Sequence, residues 1–177
     1  MSETASYITP AHYHGIGFVA VNWAAAETLV MFCLSSLLET DELEMMAVFW
    51  HMGFNDRRDR LVNLVVMKDL LPEAEMKEFD CLITRLNAAY LVRNVVVHSV
   101  WSKSDKPNSI TPHTAVLRGG KKPKVSGVTM QDEHFTPERL VDEGSKTARL
   151  AVDLAIFAKR HFGYLPELEL PEPLSTR

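Results

Sequence analysis

The sequence predicts a mainly α protein, an up-and-down bundle of four to five helices with a β-hairpin inserted near residues 108–130. Three observations carry that prediction. The stretches 18–38, 73–102 and 138–162 hold no proline and repeat apolar residues at helical spacing. Capping residues stand at several of the expected helix starts. Between residues 104 and 135 the texture changes, with Pro107, Pro112, Gly119, Gly120, Pro123 and Gly127 flanking β-branched runs.

Taken in order, residues 1–14 are polar and aromatic and read as a flexible N-terminal arm, ahead of a single domain spanning residues 15–163. Residues 18–38 form a first helix rich in Ala and Leu. That helix is long enough to cross a membrane, but Asn22 and Glu27 interrupt it and no Lys or Arg flanks it. A mid-membrane Glu is costly, so the expectation is a buried helix of a soluble bundle, with no membrane partner. Asp41 followed by Glu44 signals the start of a short helix, ended by Gly53. Asn55 is the expected cap of a third helix reaching about Leu71, before Pro72. A fourth helix is expected over 73–102. A hairpin then turns at Gly119-Gly120. Thr136-Pro137 opens a last helix to Phe162, closed by Gly163. Residues 164–177 make an acidic, proline-rich tail.

The chain has 177 residues, 24% of them charged, and a net charge of −4. Those values suit one domain and give no global field that would recruit nucleic acid; RNA contact requires a local basic patch. Cys33 and Cys81 lie in apolar helical stretches and read as small core residues. With no disulfide framework and no secretory signal, a cytoplasmic location is the expectation.

The stretch most able to carry chemistry is Arg93-Asn94-Val95-Val96-Val97-His98. From Leu86 to Trp101, Arg93 and His98 are the only residues able to bear charge. Desolvating them is costly unless they pair or serve a site. At ~100° per residue, Asn87, Asn94, His98 and Trp101 fall on one stripe of the fourth helix, with Tyr90 at its margin. The helix is then central and buried on its other faces. Val95-Val96-Val97 also suits a buried strand, but period-two alternation fails there.

An Arg, a polar residue, a short apolar spacer and a His late in a helical bundle resembles the HEPN superfamily motif. The spacer of four between Arg93 and His98 fits it, as does Asn94 after the Arg. The resemblance covers about residues 85–103; the hairpin would be an insertion. It implies a metal-independent endoribonuclease without cofactor, a homodimer through the motif helix whose two motifs form one cleft. Products would carry 2′,3′-cyclic phosphate and 5′-OH ends. His98 would be the general acid or base, a task imidazole suits near neutral pH. Arg93 would hold the scissile phosphate and Asn94 would orient the imidazole or a phosphate oxygen. A toxin or defence role, with a cognate antitoxin as partner, is part of what the resemblance implies. The alternative is a non-catalytic HEPN-like dimerisation or partner-binding module, in which Arg93 neutralises Glu27 of the first helix.

Weaker signals remain. Arg118, Lys121, Lys122 and Lys124 cluster at the hairpin tip and form a candidate RNA-backbone contact. Lys103 is expected close enough to His98 to meet a phosphate. Arg57, Arg58 and Arg60, interleaved with Asp56 and Asp59, read as salt-bridged helix surface. His12 and His14 are a weak metal clip; no Glu-x-x-His pair or phosphate loop is present, so no metal is expected. Trp23, Trp50 and Trp101 are expected to anchor the core.

Overall fold

Thr9 and Pro10 start the first helix, earlier than the apolar pattern suggests. In the computed structural model, which describes residues 7–118, 124–129 and 133–163, α1 runs Pro10–Leu38. Thr9 accepts from the His12 N–H while the His12 ring accepts from the Thr9 N–H, a reciprocal cap that leaves His12 buried. The expected arm therefore loses its residues from Pro10 onward to the helix, and His12 cannot form a metal clip with exposed His14. Among the described residues no group of three or more His, Cys, Asp or Glu side chains is placed to hold a metal ion. The expected tail at 164–177 lies outside the described residues.

The next helices follow their local signals with shifted ends. Asp41 caps α2 (Glu42–Phe49), accepting from the Glu44 N–H at 2.8 Å. Gly53 does not close that helix; it stands at the N-cap of α3 (Phe54–Met67), and Asn55 instead accepts from Arg58 (3.1 Å). The third helix stops at Met67 rather than near Leu71, because Asp69 turns left-handed at φ 48°.

Helix α4 (Glu73–His98) ends four residues sooner than expected. Ser99 is extended, and the chain enters strand β1 (Val100–Lys103). β1 pairs antiparallel with β2 (Ile110–Arg118), which pairs antiparallel with β3 (Lys124–Thr129), giving a three-stranded sheet in chain order. Trp101 therefore belongs to the sheet and not to the helical stripe. The hairpin expected from the Gly-Gly turn is β2–β3; its tip, with Lys121 and Lys122, lies outside the described residues. Thr136 caps α5 (Pro137–His161) through the Arg139 N–H at 3.1 Å, with Pro137 in the first turn as the sequence predicts. The protein is thus a helical bundle with an inserted antiparallel hairpin.

Two apolar clusters hold it together. The larger joins Trp23, Leu34, Leu61, Phe79, Leu86, Leu154 and Phe157 from four of the helices. The smaller, Val19, Val96, Ile110, Phe135 and Leu140, lies where the sheet meets the bundle. Helix α1 is apolar and long enough to cross a membrane, and one face of it fills these clusters. Its polar interruptions are met inside the fold. Asn22 donates to the Phe18 carbonyl at 2.8 Å, and Glu27 accepts from Trp23 Nε1 at 3.2 Å and from Arg57. Helices α1 and α5 approach closely at Gly15 and Gly144, where an added Cβ would meet Leu140 Cβ at 2.5 Å and Phe18 Cδ1 at 2.4 Å. Only hydrogen fits at either position. Two core expectations fail: Cys81 is exposed, and Trp50 keeps 65% of its surface in solvent.

Candidate functional site

The last turns of α4 divide their side chains between core and solvent. Val92, Val95 and Val96 face the smaller apolar cluster. That orientation turns Arg93, Asn94, Val97 and His98 the other way, because residues three and four apart share a face. Exposed Leu91 and Val97 contradict the expectation of a helix buried on most faces.

Arg93 Nη1 donates to His98 Nε2 at 2.8 Å and to Asn94 Oδ1 at 3.0 Å. A guanidinium has no lone pair to offer, so Nε2 is the acceptor and the imidazole proton sits on Nδ1. His98 is exposed at the helix end, and Arg93 and Asn94 are half-buried. Both partners of Arg93 are neutral groups, so its positive charge is not cancelled by a carboxylate in this arrangement. Its placement toward the C-terminal end of α4 is favoured by the helix dipole.

These three side chains line a hollow of about 710 Å³. Its opposite wall comes from the approach to α5: Glu133, Phe135 and Arg139. Phe135 is buried and locked to the sheet by reciprocal backbone bonds with Ile110 (3.0 and 2.9 Å). The Arg139 guanidinium lies over the Phe135 ring, 4.0 Å from its centre. It donates to the His134 carbonyl at 2.6 Å and pairs with Glu133 at 3.1 Å. The hollow thus has two guanidinium groups in different electrostatic states. Among the described residues Arg93 has no carboxylate in ion-pairing distance, whereas Arg139 is paired with Glu133 and held by the His134 carbonyl.

No protein-family model, curated protein or solved structure matches the chain. What the site can do follows from its own residues. A cation with neutral partners beside an imidazole lone pair can bind an anionic oxygen and accept a proton next to it.

The other candidates are distributed elsewhere. Glu27 does not meet Arg93; Arg57 of α3 takes it, because the first and third helices pack side by side. Asn87 accepts from Arg58, which draws it out of the expected polar stripe. Arg58 forms the expected surface ion pair with Asp59 (2.6 Å), and Arg57 and Arg58 also reach neighbouring helices. Tyr90 does line the hollow, with its ring against Trp23 (5.6 Å) and Phe54 (4.7 Å). Trp101 supports the far wall from the sheet, meeting Phe135 edge-on at 5.4 Å. Lys103 ends β1, exposed and opposite Ile110, and does not line the hollow. Arg118 pairs with Lys124 at the far end of β2 from the motif. A second hollow of about 460 Å³ is lined mainly by Met31, Phe32, Met45, Met46 and Trp50. Its charged groups, Glu27 and Arg57, already satisfy each other.

Sequence reasoning missed Glu133, Phe135 and Arg139. One local signal was present. Thr136-Pro137 places Arg139 in the first turn of a helix, where the positive dipole end disfavours a cation without local compensation.

Proposed function

We propose that the chain is a HEPN-like, metal-independent endoribonuclease, active as a homodimer through the motif helix and producing 2′,3′-cyclic phosphate and 5′-OH ends. The observation that carries this reading is the 2.8 Å contact between Arg93 and His98 at the edge of an open hollow. A ribophosphate entering the hollow competes for the Arg93 guanidinium, and its release exposes the Nε2 lone pair. His98 then takes the 2′-OH proton as the 2′ oxygen attacks phosphorus. The bond from phosphorus to the 5′ oxygen breaks as that oxygen gains a proton from an imidazolium. A homodimer supplies two imidazoles, one for each transfer. Arg93 offsets the charge growing on the phosphoryl oxygens, and Asn94 steadies Arg93 through its side-chain carbonyl.

Self-association is supported by the apolar residues flanking the motif. Leu91, Val97 and Val100 are 64%, 39% and 75% exposed, and Leu91 shares a helical face with Asn94 and His98. The engagement of Glu27 by Arg57 removes the internal ion pair that the module reading assigned to Arg93.

The test is incubation of the purified full chain with a mixed RNA pool in EDTA. Expected are fragments with cyclic phosphate ends, and none from His98→Ala at an unchanged dimer mass. RNA left intact by the wild-type chain, with or without EDTA, overturns the reading.

A further inference from the structure

Arg139 stands where helix electrostatics disfavour it, in the first turn of α5. Its surroundings compensate that position at every level. Glu133 pairs with it, the His134 carbonyl accepts from one edge, and the Phe135 ring lies against one face. The support is itself rigid. Phe135 is 1% exposed, bonded to Ile110 on both backbone groups and buttressed by Trp101. His134 is tied to Ser104 through its Nδ1 at 2.7 Å. Yet the Arg139 side chain remains 41% exposed and lines the same hollow as Arg93 and His98.

A second phosphate clamp is best served by a free charge on a side chain able to follow its target, and Arg139 is already paired with Glu133 and bonded to the His134 carbonyl. A guanidinium whose Cζ lies 4.0 Å over a ring has that side covered, and the exposed remainder of the group is planar and polarisable. That is the chemistry that stacks a nucleobase.

We infer that Arg139, laid over Phe135, is a stacking platform for one unstacked nucleobase next to the phosphate held by Arg93. This rests on the reading of Arg93 and His98 as an RNA phosphate site. The hollow then has two ends with different tasks. Arg93 and His98 handle the phosphodiester, and the wall of Glu133, Phe135 and Arg139 sets which nucleotide unit lies across it. Pinning the guanidinium beforehand lowers the entropy lost when the base settles on it.

The experiment measures binding, independent of cleavage. A fluorescein-labelled 2′-O-methyl heptanucleotide, lacking the attacking hydroxyl, is titrated with the full chain, and then the same strand with one abasic unit at each position in turn. For the wild type, loss of the base at one position weakens binding roughly tenfold. Arg139→Ala erases that difference, and Arg139→Lys, which keeps the charge and loses the plane, erases it too. Equal wild-type affinity for intact and abasic strands at every position overturns the inference without recourse to any variant. So does a base dependence that survives in Arg139→Lys, since the guanidinium plane would then not be what holds the base. Base-dependent binding without RNA cleavage leaves the platform standing and removes the ribonuclease reading. Cleavage without base dependence does the reverse.

Discussion

Arg57 of α3 closes on Glu27 of α1, so the carboxylate expected to meet Arg93 is engaged from another helix. Both side chains are mostly buried, at 14% and 26% exposure, so neither charge is well served by water. Arg93 bonds instead along its own helix to His98.

Removing one member of the Glu27–Arg57 pair strands the other charge. Arg57→Ala is expected to lower stability by about 2 kcal/mol, and Glu27→Gln somewhat less, because Trp23 Nε1 can still donate to the amide oxygen. Urea unfolding of both single variants and the double variant measures the coupling between them. Costs that simply add would show the two groups to be energetically independent.

The motif residues should behave in the opposite way. His98 is exposed and, among the described residues, bonds to Arg93 of the same motif, so His98→Ala should leave stability within about 0.5 kcal/mol of the wild type. Under the proposed chemistry the same change lowers RNA cleavage by roughly 10²- to 10⁴-fold. Thermal unfolding and a cleavage assay on one preparation separate the two effects. A large fall in melting temperature would identify His98 as structural.

The contact between α1 and α5 has no room to spare. Gly15→Ala brings a Cβ against Leu140 Cβ, an atom fixed to its own helix, so the helices must move apart. The expected cost is about 1–3 kcal/mol. Gly17→Ala is the control, since nothing lies within 4 Å of a Cβ there and alanine favours helix. Melting temperatures should fall for the first variant and hold or rise for the second.

Burial pushes the Cys33 thiol from 9.0 up to about 12. The folded state therefore holds that proton more tightly than the unfolded chain does. The resulting stability is fully present below pH 9 and declines as pH rises toward 12. Cys33→Ala should flatten that alkaline decline in urea midpoints. Thiol labelling at pH 8 should reach exposed Cys81 quickly and Cys33 only after unfolding. Rapid modification of both thiols in the native state would contradict the burial of Cys33.

How much of the fold was legible depended on whether its cause was local. Asp41 and Thr136 were readable as caps because each bonds an N–H three residues ahead. Thr9-Pro10 carries the same Thr-Pro signal as Thr136-Pro137, but polar residues after it mask the start of α1. The early end of α4 was harder to see. Ser99 to Lys103 would continue a helix on pattern alone, and β1 forms because β2 supplies a hydrogen-bonding partner seven or more residues later.

Within the site, the Arg93-Asn94…His98 spacing was enough to bring three polar groups onto neighbouring turns of one helix. That follows from helix geometry, which the chain carries in itself. Which cation reaches Glu27, and which segment faces the motif, were decided only by packing. Glu27 and Arg57 are 30 residues apart, and Phe135 is placed by its backbone bonds to Ile110. Such pairings depend on how helices and strands dock, and no local preference of either residue encodes the outcome.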